Sequence, residues 1–545
     1  MTIDHLRWSA VALCILAVAP AWGQDEAYSP AVRNTFPDRV YWGDTHVHTN
    51  LSFDAVFRLT PDDAYRFAKG EEVTSSTGQP ARIRRPLDFL VIADHGENMG
   101  GEITRNRVDE NPELGKTGVG RMWLEAKSEL LATDDVDPET VLEGSFWPRT
   151  SGVEIGHQGF RRAVWERVTE NAERHNQPGK FTAFVGYEWT SGKNAIHRVV
   201  VFKDGAEKAG AVLPFTSFDS DDPEDLWDFL STYREATGGD ALAIPHNSNL
   251  TYGTMFALED SNGAAFTKEY AERRMRWEPV VEVTQIKGDS ETHPVISPTD
   301  EFADFERWAG WAGRTNGGVM WTGNNVAVRE NHLIPFEYVR SAYKNGLDQL
   351  VTTGVNPFKF GLIGSTDSHT ALATAAEDNF WGKTMVAEPS PSRVTAQYAV
   401  LNWEMSASGY AGVWAQENTR ESLFDAFRRK EVYATTGPRM TVRFFGGWVY
   451  TRADADAPNL AEIGYSKGVP MGGDLPPGGD GAPTFLIRAI KDPDGANLDR
   501  IQVIKGWRAA DGGLHEKVYD VGWSDDREIG PDGKLESIRS TVDVA

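Results

Sequence analysis

The chain of 545 residues has one cysteine, Cys14, and it lies inside the apolar segment Ala10–Ala19 near the N-terminus. Arg7 before that segment and Ala21-Trp22-Gly23 after it complete the pattern of a secretory signal. The segment is too short to span a bilayer. Residues 1–23 are therefore expected to be a cleaved signal peptide, which places the protein in the periplasm or outside the cell. A mature chain starting at Gln24 has no thiol, so disulfides and cysteine nucleophiles are excluded. Long apolar runs are also missing: no other stretch could cross a membrane. Basic residues are few, 55 Lys and Arg against 80 Asp and Glu, for a formal net charge of −25. Non-specific nucleic-acid binding needs the opposite balance, so no nucleic-acid partner is expected. An anionic small molecule remains admissible, because bound metal ions can dominate the charge of a site. Internal repeats and low-complexity segments are absent, and nothing in the sequence sets an oligomeric state.

A chain this long exceeds one ordinary core. Seven short apolar runs read as strands: Arg39–Trp42, Leu87–Ala93, Thr182–Tyr187, Arg198–Phe202, Ala241–Pro245, Val280–Thr284 and Phe360–Gly364. Several are apolar on both faces, as buried parallel strands are. Helix signals fall between them. Thr60-Pro61-Asp62-Asp63 is an N-cap followed by Pro and first-turn acids, and Asp222-Pro223-Glu224-Asp225 repeats that logic. Alternating strands and helices predict an α/β fold with a parallel sheet, open or closed. Two spacers exceed a simple crossover and read as insertions, about 97–180 and 285–359. The first is rich in helix formers, at Met122–Leu131 and Phe160–Arg174; the second carries Trp308, Trp311 and Trp321. Both could roof a pocket. From Thr441 the texture turns β-rich, with a turn-rich linker at 470–481 and strands at Thr484–Ile490 and Leu498–Ile504. The expected organisation is a main domain over 24–440 and a β accessory region over 441–545.

Histidine is scarce, 12 in the whole chain, yet it gathers at strand ends. His46-Val47-His48 follows the first strand, and an H-x-H pair puts two imidazoles on one side of extended chain. Asp54 could return a carboxylate to the same place. Asp94-His95-Gly96 ends a very apolar strand, and Gly186-Tyr187-Glu188-Trp189 repeats the arrangement with a carboxylate able to bridge two cations. His197 opens the fourth strand, Ile244-Pro245-His246 closes the fifth, and Asp367-Ser368-His369 follows the last. Strand ends are where α/β barrels present reactive side chains, and imidazole with carboxylate suits zinc, manganese or iron. Asp44 and Asp94 are candidates to orient the rings from behind.

This ordered set resembles the PHP superfamily, the polymerase and histidinol phosphatase type of metal-dependent hydrolase. Tyr41-Trp42-Gly43-Asp44-Thr45-His46, Gly186-Tyr187-Glu188-Trp189 and Tyr433-Ala434-Thr435-Thr436-Gly437-Pro438-Arg439 make the whole mature chain similar to the PHP-like family called domain of unknown function 3604. The resemblance implies a distorted seven-stranded β/α barrel and a centre of two or three divalent metal ions. It implies as ligands His46, His48, Asp54, His95, Glu188, His197, His246, Asp367 and His369. Glu188 would bridge, His46, His48 and Asp367 would hold one ion, and Glu188, Asp367 and His246 would serve the reaction. The reaction implied is attack by a metal-activated water on a phosphoester, with a small anionic ester as substrate. Arg198 and Arg439 are expected to face that anion. Asp54 stands where many members have His, and the long insertions are absent from small PHP phosphatases, so no substrate carries over. Two other readings compete. An amidohydrolase cleaving C–N or lactone bonds also begins with H-x-H, but usually adds a bridging lysine and a lone final Asp. A non-enzymatic metal- or carbohydrate-binding protein would suit the 18 tryptophans, but needs fewer ligands on one rim.

Overall fold

β1 (Arg39–Val47) begins exposed and then runs fully buried to its end. β2 (Phe89–Ile92), β3 (Thr182–Thr190), β4 (His197–Phe202) and β5 (Ala241–His246) are buried along their whole length. With β6 (Val280–Gln285) and β7 (Gly361–Gly364) these are the seven strands expected from the apolar runs. The computed structural model describes residues 36–55, 59–100, 158–191, 196–307, 331–396 and 408–538, plus Lys116, Asn402 and Met405 and without residues 480 and 532. The signal segment, Met122–Leu131 and the three tryptophans of the second insertion lie outside the described residues.

Two strands that the sequence reading did not anticipate, β8 (Tyr410–Ala415) and β9 (Val432–Thr435), join the architecture. A curled half-barrel sheet of seven strands runs in the order β9-β8-β1-β2-β3-β4-β5. β6 instead pairs with β7 on one side and with the two-residue strand Gly288–Asp289 on the other, in a separate sheet of three. The single seven-stranded barrel ladder expected is therefore replaced, among the described residues, by a half-barrel and a small sheet seated at its open side. Gly409 N donates to Ser365 O at 2.9 Å and Ser365 N to Thr284 O at 3.1 Å, which tethers the two sheets.

The sheet is mixed rather than parallel. β1, β2 and β3 are parallel, but β3–β4, β4–β5, β1–β8 and β8–β9 are antiparallel. The connection from Thr190 to His197 is too short for a parallel crossover and dictates a hairpin. β4 consequently starts at the end where its neighbours finish: His197 pairs with Thr190 on one side and with His246 on the other.

The helices that bear on the site's frame include α1 (Pro61–Ala68), α2 (Gln158–His175), α3 (Pro223–Thr237), α4 (Val339–Thr353) and α5 (Arg420–Arg429). Thr60 and Asp63 close a reciprocal capping box on α1, with Pro61 in the first turn. Asp222 caps α3 by accepting from Glu224 N at 2.9 Å. Side-chain alternation splits the core into layers. Leu90 and Ile92 of β2 join Tyr65, Phe67, Trp165 and Trp227 of the helices. Phe89 and Val91 face Phe184, Val201, Ile244 and Ile363, with Phe424 and Phe427 of α5 closing that layer. No helix among the described residues is long and apolar enough to cross a membrane.

Beyond residue 440, β10 (Thr441–Gly447), β11 (Gly468–Pro470) and β12 (Thr484–Ile490) make an antiparallel sheet. β13 (Arg500–Arg508) and β14 (Leu514–Trp523) make a two-stranded ribbon. The ribbon rests on α4 through Lys344 Nζ to Glu516 at 3.0 Å and Arg508 Nε to Asp348 at 2.9 Å.

Candidate metal centre

The ends of β1, β2, β3 and β5, the start of β4 and the turn after β7 bring nine side chains together. His46, His48, Asp54, His95, Glu188, His197, His246, Asp367 and His369 are all buried, and every one belongs to a group whose ligand atoms lie within 4.8 Å of one another. Local backbone makes this possible. Gly186 lets β3 pass close to its neighbours, because a Cβ there would stand 2.5 Å from the Val91 side chain and 2.9 Å from Val200 O. Asp367 has φ 48°, a left-handed conformation uncommon for a residue with a side chain, which turns the chain so that it and His369 both reach the cluster.

His46 Nε2 lies 3.1 Å from His48 Nε2 and 3.1 Å from Glu188 Oε2. His48 Nε2 is 3.2 Å from the same Glu188 oxygen, and Asp367 Oδ1 is 3.4 and 3.3 Å from the two imidazole nitrogens. Four tetrahedral ligand atoms about 2.0–2.1 Å from one ion stand ~3.3–3.4 Å apart, and the five distances just given lie close to that spacing. A second group holds Asp54 Oδ2, 3.2 Å from His95 Nε2 and 2.7 Å from His369 Nε2, with Glu188 Oε2 3.8 Å from His95. The other oxygen of Glu188 faces His246 Nε2 at 2.9 Å and His197 Nδ1. Glu188 thus divides its oxygens between ligand groups, as a bridging carboxylate does. The donor set itself, imidazole nitrogens and carboxylate oxygens converging in buried groups of three, fits metal ions.

A metal-binding imidazole needs its second nitrogen fixed by a partner. His46 Nδ1 is 2.9 Å from Glu282 Oε2, in the middle of β6. His48 Nδ1 is 3.0 Å from Ser52 Oγ, which donates to Asp54 at 2.7 Å and so accepts from the ring. His246 Nδ1 faces Ile244 O at 3.3 Å, and His95 Nδ1 faces Thr190 Oγ1 at 2.6 Å. Asp44 and Asp94, the expected ring partners, do something else. Asp44 accepts from His46 N, Thr366 N and Thr366 Oγ1, tying the end of β1 to the Asp367 turn. Asp94 accepts from Thr49 N and Thr49 Oγ1, tying the β2 end to the loop after His48. Glu282→Gln is expected to weaken metal binding by about 10–100-fold, measured by competition with a chelator, while the circular dichroism spectrum is kept.

Burial opposes ionisation throughout the cluster, and neighbouring charges decide the outcome. Burial alone would push His46 down, but Asp367, Glu282 and Glu188 hold it well above the usual histidine range. His95, similarly buried, is lifted to about 9 by Glu188 and Asp54. Burial wins at His197, pushed down to about 4, and at His369, pushed down to about 3. Asp54, Glu188 and Asp367 are held well below the carboxylate range against burial, by the surrounding histidines and, at Asp367, first by Lys287 and Lys383.

The two arginines expected to face substrate are committed elsewhere. Arg198 follows His197 on β4, so alternation sends it to the opposite face, where its Nε donates to Glu278 at 2.9 Å in a fully buried pair. Arg439 donates to Pro86 O and Arg85 O and stacks on Tyr410, pinning the start of the C-terminal region. Gly437 serves that clamp: with φ 125° it passes Ala375 O where a Cβ would stand 2.4 Å away. The cations that do reach the cluster are Lys287 and Lys383, ion-paired to Asp367. Neither they nor Glu282 were singled out from the sequence, although a glutamate in the apolar run Val280-Val281-Glu282-Val283 was a legible signal.

No curated protein matches the chain. A solved structure described as a two-domain protein containing a predicted PHP-like metal-dependent phosphoesterase, from Bacteroides vulgatus, is 9% identical with a TM-score of 0.30, over 90% of this chain and 99% of that one. The model of a family described as protein of unknown function (DUF3604) matches residues 35–545. The chain therefore belongs to the DUF3604 family.

Proposed function

We propose that this protein is an exported metal-dependent hydrolase that cleaves a phosphoester in a small anionic substrate. The observation that carries the reading is the division of Glu188, one oxygen toward His46 and His48, the other toward His197 and His246. In this reading His46, His48 and Asp367 would hold one divalent ion, Asp54, His95 and His369 would hold a second, and His197 with His246 would offer a third position, Glu188 being shared. Such ions, zinc, manganese or iron, lower the pKa of bound water and offset charge on ester oxygens. The residues supply the rest. Glu282 and Ser52 lock the ring orientations of His46 and His48, and burial of all nine groups keeps bulk water from competing. The resemblance to the PHP superfamily supports a phosphoester. A bridging glutamate, with Asp and His together on the last turn, argues against the amidohydrolase pattern.

Two measurements test this. Elemental analysis of protein purified without chelator should find two to three ions per chain; one or none sinks the proposal. A panel of phosphomonoesters, phosphodiesters and lactones should show hydrolysis of a phosphoester that His46→Ala and Asp367→Ala abolish. Variants as fast as the parent would place the site elsewhere.

A further inference from the structure

Two lysines that no ligand pattern requires converge on Asp367. Lys383 is buried, with Nζ 2.9 Å from Asp367 Oδ1, 2.9 Å from Asp367 O and 2.8 Å from His369 Nδ1. Lys287 ion-pairs with the other carboxylate oxygen, Oδ2. Their backbones are fixed. His369 N donates to Lys383 O at 2.8 Å. Lys287 N donates to Gln285 Oε1 at 3.1 Å, and its carbonyl accepts from Asn249 Nδ2 at 3.1 Å. Lys287 sits in the tight turn between β6 and Gly288–Asp289, and its side chain is 12% exposed.

Charge makes the pair informative. The carboxylates nearest the cluster's imidazoles are Asp54, Glu188, Glu282 and Asp367, with Glu97 farther off at 3.9 Å from His95. Two divalent ions balance these four negative charges and three exceed them, so with ions present Asp367 no longer needs either ammonium. Two buried positive charges beside metal ions are then uncompensated, a costly state unless an anion joins them. A lysine head swings on four carbons, so both can turn from Asp367 to an incoming group without moving the backbone. Resting on the metallohydrolase reading, we infer that Lys287 and Lys383 form a two-ammonium clamp for a dianionic group, which makes the substrate a phosphomonoester rather than a phosphodiester. A monoester at neutral pH carries two charges on its terminal phosphate, matching the pair; a diester carries one.

The test uses inorganic phosphate as the dianion. Metal-loaded parent, Lys287→Met, Lys383→Met and the two Lys→Arg variants are titrated with phosphate by calorimetry, after elemental analysis of each. Each Met variant should keep its ions and its melting temperature yet bind phosphate about tenfold or more weakly, and each Arg variant should recover part of the loss. KM for 4-nitrophenyl phosphate should rise with the Met changes, and by more than any change in KM for the monoanion bis(4-nitrophenyl) phosphate. Equal phosphate affinity in parent and Met variants overturns the clamp. So does loss of metal ions from the Met variants, because the lysines would then be holding the ligand set. A parent that carries no ions overturns the metallohydrolase reading itself, which separates the two failures.

Discussion

Glu188→Gln is expected to leave at most one metal ion per chain and to lower phosphoester hydrolysis by about 10³ or more. The substitution keeps size and shape, so the effect isolates charge. Glu188 is held from both sides: its N–H donates to Asp94 O at 3.0 Å, and its carbonyl accepts from Gly96 N at 2.7 Å. The side chain therefore cannot retreat, and a glutamine must present an NH2 to nitrogens now facing a carboxylate oxygen. Toward His46 and His48 that oxygen is Oε2, at 3.1 and 3.2 Å; toward His246 it is Oε1, at 2.9 Å. Whichever way the amide flips, one ligand group receives a donor in place of an acceptor. A bridging charge offsets two cations at once, worth several kcal/mol, and each 1.36 kcal/mol is tenfold in rate. Elemental analysis and the initial rate, with circular dichroism to establish folding, give the answer. A variant with the parent's ion content would show that Glu188 is a structural acid.

The site was more legible in the sequence than the fold. Candidate ligands stand out because charged residues at the ends of apolar runs are costly unless used, and the structure brings all nine singled out into one cluster. The same logic failed for Arg198, because it weighed proximity to His197 and ignored the alternation that sends neighbours to opposite faces. Strands β1 to β7 were found by apolarity, but their partners were not. β8 and β9 follow a region with no ligand to draw attention, and β6 and β7 form their own sheet. Helix between strands suggested parallel pairing, yet β8 and β9 flank α5 and are antiparallel. Periodicity reports burial; direction and neighbour are set by connection length and tertiary packing. Lys287 and Lys383 were invisible for a related reason. A lone lysine in a turn reads as solvated surface until the chain reaching it is folded.

Stripping the metal ions is expected to lower the melting temperature by about 5–10 °C, and ion affinity is expected to rise steeply with pH from 6 to 9. Both follow from binding that only the folded chain can offer. Nine candidate ligands from strands and loops up to more than three hundred residues apart meet only in the native state. An ion at a hundred times its Kd adds about 2.7 kcal/mol of stability, so two add about 5. A chain of this length shifts by no more than about 2 °C per kcal/mol. The pH dependence comes from His46 and His95. Without ions, nearby carboxylates hold the first well above the usual histidine range and the second at about 9, so both carry protons at neutral pH. A metal ion takes the unprotonated nitrogen and must displace those protons. Below pH 7 displacement is expensive and affinity falls. As pH climbs toward 9 the cost at His95 disappears and affinity grows. His197 and His369, pushed down to about 4 and about 3, are already neutral across that range and add no slope. Calorimetry at pH 7 in buffers of different ionisation enthalpy should therefore report close to two protons released when the chain is loaded, and His95→Gln should remove one of them. Release of no protons, or an affinity flat from pH 6 to 9, would mean that His46 and His95 carry no protons for a metal ion to displace.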